Sequence, residues 1–212
     1  MYLPKHFEQT ELAQLHDLIQ RHSFGLLVST QGHEPQASHL PLLLDRHAGP
    51  HGELIGHMAR ANPQWQHAEG TTVLAIFSGP HAYISPSWYE AANVVPTWNY
   101  TAVHAYGRFQ AIHDPLALTA IVRAYVEHYE RGMPTPWQLD GSPHFVEQLV
   151  RQIVGFRIPI ERLEGKWKLS QNHPRERRER VVGALQQQGD ENSVSIADLM
   201  RRGLLEQTRT GS

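Results

Sequence analysis

Fifteen histidines and no cysteine define the chemistry open to this chain of 212 residues. Without a thiol there is no disulfide, no thiolate metal site and no cysteine nucleophile. The histidines invite a metal, but none falls in a helical ligand spacing such as H-E-x-x-H. A site would have to gather histidines and carboxylates from distant segments, and no metal is expected. There is no G-x-S-x-G elbow, no G-x-x-x-x-G-K phosphate loop and no G-x-G-x-x-G after a strand. Three clusters remain. In the first, Gly56-His57-Met58-Ala59-Arg60-Ala61-Asn62-Pro63 closes a strand and opens a helix. Free amides at a helix start suit a phosphate, Arg60 adds a bidentate donor and His57 a second one. Ser38 and His39 lie on the preceding strand and are expected to aim at the same anion across a hairpin. Alone, the cluster reads equally as a strand-to-helix junction with a surface arginine. The second cluster is Trp88-Tyr89 with Val95-Pro96-Thr97-Trp98-Asn99-Tyr100, where aromatics crowded with amide and hydroxyl groups suit a planar heteroaromatic ligand or an ordinary core. The third, Lys166-Trp167-Lys168-Leu169-Ser170-Gln171-Asn172-His173-Pro174, is a strand end dense in hydrogen-bonding groups, or a polar surface turn.

The elements that must position these clusters follow from periodicity. Leu12, Leu15, Leu18 and Ile19 recur at helical spacing, which predicts a helix over 8–22. Strands are predicted at 24–30, at 36–45 with Pro35 and Pro41 suiting an edge or bulge, and at 53–58. A short helix is expected from Asn62-Pro63. Residues 71–78 are the most β-like stretch, with 82–85 as a hairpin partner across Gly79-Pro80. A strand over 102–112 leads to a helix capped by Asp114, with Pro115 in its first turn, running to about 129. A Gly/Pro-rich connection at 132–142 precedes a short helix at 143–152 and late strands at 154–163 and 166–169. The tail from Arg175 is helical, with Ser195 and Asp198 as a capping-box-like start of the last helix. The pattern predicts an α+β, mainly β fold, a small barrel with peripheral helices.

Charge narrows the partners. Nineteen basic against twenty-one acidic residues give a net charge of −2, so no uniform cationic surface exists at neutral pH. Protonating histidines would move that balance upward near pH 6. With no helix-turn-helix pattern and a mixed-sign run over 175–180, direct DNA binding is doubtful. No apolar run approaches the ~20 residues of a membrane span, and the first residues do not read as a signal peptide, so a cytoplasmic, soluble protein without a membrane is expected.

Several of these stretches occur in a fixed order. They are the N-terminal Met1-Tyr2-Leu3-Pro4-Lys5-His6-Phe7, Ser38-His39-Leu40-Pro41, the Gly56–Pro63 cluster extended by Gln64-Trp65, Phe77-Ser78-Gly79-Pro80-His81-Ala82-Tyr83-Ile84-Ser85-Pro86, Val95–Tyr100 with His104 and Gly107, and Lys168-Leu169-Ser170-Gln171-Asn172. Together they resemble the PaiB family of FMN-binding negative transcriptional regulators, over residues 1 to about 180. More remotely, the layout is similar to pyridoxamine phosphate oxidase-like flavin split barrels. The resemblance implies an FMN-binding split β-barrel over 1–180, a C-terminal helical extension over 181–212, and a homodimer with FMN in a groove between subunits. It implies a phosphate site at Ser38, His39, His57 and Arg60, with Met58 and Ala59 between them and Asn62 at the junction. Trp98, Asn99 and Tyr100 would approach the flavin from the partner subunit, and Ser170, Gln171 and Asn172 would line its edge. The function implied is that of an FMN-binding regulator. The alternative is an FMN-dependent oxidoreductase acting on an unknown small substrate. No catalytic residue is assigned, although His39 and His104 are the nearest to acid–base candidates. A haem reading stays open because related barrels have taken that cofactor, but no histidine stands out as an axial ligand. Residues 193–212 belong to none of these motifs.

Overall fold

Alternation of apolar and polar residues dictates most of the architecture, seen in a computed structural model that describes residues 1–139 and 141–210. Among the described residues the chain forms nine strands and six helices. The strands follow the hydrogen-bonded path β3-β2-β6-β7-β9-β5-β4, which does not close, and β1 and β8 pair with β9 beside it.

β1 (Glu8–Gln9) pairs antiparallel with the far end of β9, Glu8 opposite Lys166, so the first predicted helix loses its start. Helix α1 (Leu12–Arg21) begins only after the Gln9 side chain has accepted the Glu11 amide at 2.9 Å. β2 (Phe24–Gln31) and β3 (Glu34–Pro41) form an antiparallel hairpin. The single strand expected over 36–45 is divided. Pro41 has no amide to donate, the Leu42 amide turns to the Ser23 carbonyl at 2.8 Å, and β4 (Leu43–Asp45) joins the other end of the path. β5 (Glu53–Ala59) then runs between β4 and β9 into the short helix α2 (Gln64–Ala68).

No hairpin forms at Gly79-Pro80. β6 (Thr72–Ile84) continues through both residues, because Gly79 does not take the positive φ that a two-residue hairpin needs. β7 (Thr97–Arg108) starts five residues before the predicted strand, and β8 (Gln110–Ile112) is its separate tail. Asp114 caps α3 (Pro115–Glu130) by accepting the Ala117 amide at 2.8 Å, as the sequence predicts. Ser142 caps α4 (Pro143–Arg151) in the same way. The two late strands are one, β9 (Ile153–Lys168). α5 (Arg175–Gln188) runs across position 180, and α6 (Glu191–Thr210) starts earlier than expected. Its first turn is held by Asp190, whose carboxylate accepts the Ser193 amide at 3.0 Å, leaving Ser195 and Asp198 inside the helix.

The chain packs as two units, and β6, β7 and β9 contribute residues to both. One unit comprises Met1–Leu15, Ser78–Val103 and the chain from Glu164 onward. Its core is built from Ile84, Tyr89, Val181, Leu185, Ile196 and Met200. The other comprises His16–Phe77 and His104–Leu163. Leu27, Leu54, Phe77 and Ile158 are fully buried there, and the Phe109 and Phe156 rings stack at 4.8 Å. Within that second unit Gly107 brings β7 so close to β9 that a Cβ would sit 2.2 Å from the Pro159 carbonyl oxygen.

Candidate functional site

In the unit that holds β5, strand alternation sorts the first cluster. Leu54, Gly56 and Met58 face the core, whereas Ile55, His57 and Ala59 face the other way. Met58 is buried among core side chains and offers a ligand only its backbone, while Ala59 is exposed. His57 is half-buried and meets the Tyr125 ring edge-on at 4.7 Å. Burial lowers its pKa, and its buried Nδ1 has no hydrogen-bond partner among the described residues. The Tyr125 hydroxyl lies 2.6 Å from the Pro41 carbonyl oxygen and 3.0 Å from that of Ile55, which ties α3 to the end of β3 and to β5. Burial raises its pKa far above the usual phenol range.

Arg60 does structural work that sequence reading missed. Its Nε donates to the Arg151 carbonyl at 2.8 Å, its Nη2 to that of Ile153 at 2.7 Å, and its backbone amide to that of Gln152 at 2.8 Å. These three carbonyls close α4 and open β9, so the side chain acts as a helix C-cap. A guanidinium has five N–H donors, and the remaining ones stay available to an anion. Asn62 accepts the Gln64 amide at 3.0 Å and donates to Ser38 Oγ at 2.9 Å, joining the β5–α2 junction to β3. Ser38 stands opposite the buried Leu27, whereas His39 stands opposite Leu26 and stacks on Phe24 at 6.2 Å. Neighbouring strand residues point to opposite faces, so the two side chains do not aim at one anion as expected. α2 is only five residues long, too short for a significant helix dipole. Gln64, also missed, is buried and its amide nitrogen lies near the Leu27 carbonyl, Ser29 Oγ and the Gln36 carbonyl at 3.1, 3.1 and 3.3 Å. Its position after Asn62-Pro63 was legible, but its burial was not.

In the other unit the same alternation divides Trp98-Asn99-Tyr100. Asn99 is fully buried and donates to Ser170 Oγ at 3.0 Å and to Met200 Sδ at 3.4 Å. Trp98 and Tyr100 leave the opposite face of β7. Trp98 is 53% exposed, with the His81 and Tyr83 rings each 6.0 Å away. Ser170 holds a left-handed conformation at φ 62° where β9 ends. The Gln171 side chain folds over that turn, accepting the Leu169 amide at 2.7 Å and donating to the Trp167 carbonyl at 2.6 Å. Ser170 and Gln171 therefore build the turn, and Asn172 is exposed on it. Lys168 donates to Thr97 Oγ1 at 2.5 Å and to the Trp98 carbonyl at 2.6 Å, and Lys166 donates to the Tyr2 carbonyl at 2.9 Å. Both lysines were inside the third sequence cluster, yet nothing in the sequence marked the burial of Lys166 or the half-burial of Lys168.

His104 is half-buried, its pKa is lowered by burial, and its buried Nδ1 has no hydrogen-bond partner among the described residues. His39 is exposed. Among the described residues no three His, Asp or Glu side chains converge as a metal site, and no helix is long and apolar enough to cross a membrane. Each unit thus carries groups of the kind a flavin nucleotide requires. The first has an unpartnered imidazole nitrogen, spare guanidinium donors and a hydroxyl–amide pair; the second has an uncovered indole beside a tyrosine.

Residues 1–162 match the family described as "Putative FMN-binding domain". The chain is 40% identical over 211 residues to Protease synthase and sporulation protein PAI 2 of Bacillus subtilis, covering 98% of this chain and 100% of that one. Among solved structures, the FAD and Heme binding protein from Mycobacterium smegmatis is similar with a TM-score of 0.59 at 12% identity, over 76% of this chain and 73% of that one. The Flavocytochrome Anf3 from Azotobacter vinelandii is similar with a TM-score of 0.60 at 11% identity, over 76% and 69%. At these identities the likeness is one of fold, a flavin split barrel built on a mostly antiparallel sheet that stays open.

Proposed function

The chain belongs to the PaiB family of FMN-binding proteins, with FMN as its cofactor, and from that premise we propose that it acts as a homodimeric, cytoplasmic regulator of the PaiB type. The flavin domain is residues 1–180, and the chain from 181 onward, with the rest of α5 and α6, is its C-terminal extension. The observation that carries the flavin site is Trp98, a large indole more than half exposed on a strand whose other face buries Asn99 completely. An uncovered indole flanked by Tyr100 suits stacking against a flavin supplied across a dimer axis. Ser38, Asn62, His57 and the spare donors of Arg60 take the phosphate, and Asn172 reaches the flavin edge. His39, on the other face of β3, is the weakest member of that set.

His104 favours a second reading, an FMN-dependent oxidoreductase on a small substrate. Its imidazole is kept neutral by burial and has a free nitrogen, which suits a proton acceptor near neutral pH. FMN, when bound, supplies the electron or hydride chemistry. Regulation by a basic DNA-binding surface is not part of the proposal, because the net charge is −2. Tight, sequence-specific duplex binding by the purified protein in gel-shift titrations at pH 8 would reverse that.

An absorption spectrum of the purified protein, before and after adding FMN, tests the cofactor. Flavin bands that stay with the protein through ultrafiltration are expected, whereas a Soret band without flavin would replace the reading with haem.

A further inference from the structure

Lys166 and Lys168 stand two residues apart on β9, so both side chains leave the same face of the strand. Lys166 is 7% exposed and Lys168 is half-buried. Lys166 Nζ donates to the Tyr2 carbonyl and lies 5.5 and 5.4 Å from the Tyr2 and Tyr100 ring centres. Lys168 Nζ donates to Thr97 Oγ1 and the Trp98 carbonyl and lies 5.8 Å from the Phe7 ring centre. Among the described residues no carboxylate is ion-paired with either ammonium. Glu164, two residues before Lys166 on the same face, is ion-paired with the Met1 amino group instead.

A buried ammonium beside a half-buried one, neither ion-paired among the described residues, is costly to keep, and neutral carbonyls and rings offset only part of that cost. Their mutual repulsion adds to burial in lowering the Lys168 pKa. Each ammonium has three donors, of which Lys166 commits one and Lys168 two, so three N–H bonds remain for a ligand. The rings nearest the two ammonium groups are those of Tyr2, Tyr100 and Phe7, and Tyr2 is largely exposed. A ligand that matches both features carries a negative group on a planar apolar body.

We propose that the Lys166–Lys168 face is a binding site for an aromatic carboxylate, whose carboxylate takes the uncommitted ammonium donors and whose ring lies against Tyr2 and Phe7, which leaves Trp98 to the flavin. The site is complete within one unit of the protein and does not depend on FMN. Its identification as the place where the flavin's reaction partner docks does rest on the flavin reading above.

Thermal unfolding of the full chain, once saturated with FMN and once freed of it, is followed during titration with sodium benzoate. Ionic strength is held constant with sodium chloride. A saturable rise in Tm is expected in both forms, because a ligand that binds only the folded state stabilises it. Acetate and inorganic phosphate should need at least tenfold higher concentration for the same rise. Lys168→Gln keeps an N–H donor, one bond shorter, without the charge, and should weaken benzoate at least tenfold while being no less stable than wild type in its absence. Lys166→Met should do the same, and Lys168→Arg should retain the response. The proposal is overturned by any of four results: no saturable response beyond chloride, an equal response in the charge-removing variants, phosphate outcompeting benzoate, or FMN displacing benzoate. Failure of FMN to bind would count against the flavin reading alone, since the flavin-free titration still decides this one.

Discussion

Arg60 has two demands on one guanidinium, the carbonyls of Arg151 and Ile153 and the phosphate proposed for it. The two roles separate by ligand. Arg60→Ala should weaken FMN binding by about 1.5–3 kcal/mol, the range for a hydrogen bond to a charged group. Riboflavin, which lacks the phosphate, should bind the wild type less tightly and be indifferent to the change. Calorimetric titration of both ligands decides it, and an equal loss for both would assign Arg60 to the α4 cap alone. Asn99 makes the opposite case, an amide with no access to solvent. Asn99→Ala strands the buried Ser170 hydroxyl beside a small cavity, and should cost about 1–3 kcal/mol of stability in denaturant unfolding. A loss below ~0.5 kcal/mol would mean that Asn99 does not hold the Ser170 turn.

At the scale of elements, the tightest constraint is the approach of β7 to β9. A Cβ on Gly107 would meet the Pro159 carbonyl oxygen at 2.2 Å and Ile158 Cγ2 at 2.8 Å. Backbone cannot swing aside as a side chain end does, so Gly107→Ala should destabilise at the upper end of the overpacking range, ~3 kcal/mol. Gly183, inside α5, has nothing within 4 Å of its would-be Cβ. Gly183→Ala should therefore stabilise by about 0.4–1 kcal/mol. Chemical denaturation of the pair checks both signs, and a neutral Gly107→Ala would show that the strands separate easily. Most elements were legible because their cues are local. The Asp114-Pro115 start of α3 is one example, and the alternation of β5 is another. The hairpin read at Gly79-Pro80 failed because the same dipeptide suits a turn or a long strand, and only pairing with neighbouring strands decides between them.

Across the whole molecule, His57, His104 and His173 all have pKa values lowered by burial. The unfolded chain, with an ordinary value near 6.5, then binds protons before the folded one does. Stability is complete above that pH and falls as pH drops below it, levelling once the folded imidazoles also protonate. Denaturant midpoints measured from pH 8 to pH 5 should decline from about pH 6.5 downward, and His57→Gln should flatten the slope. A curve flat to pH 5 would contradict the burial of these rings. The proposed dimer is tested by sedimentation at micromolar concentration, where a species of twice the 24.1 kDa chain mass is expected and a clean monomer would refute it.

Composition and motif order were sufficient for the family, the flavin and the mainly β fold, because each rests on residue types and local spacing. The absence of cysteine and the ordered run from Ser38-His39 to Ser170-Gln171-Asn172 needed no coordinates. Which members of each motif face outward was decided only by tertiary structure. Burial depends on what packs against each face, and the sequence does not record that. Packing turned Asn99, Ser170 and Gln171 into internal braces, gave Arg60 a second duty, and sent Ser38 and His39 to opposite sides of β3. It also buried Lys166 and half-buried Lys168 on one face of β9, with neither ion-paired among the described residues, where β9 runs on past Glu164 to meet β1.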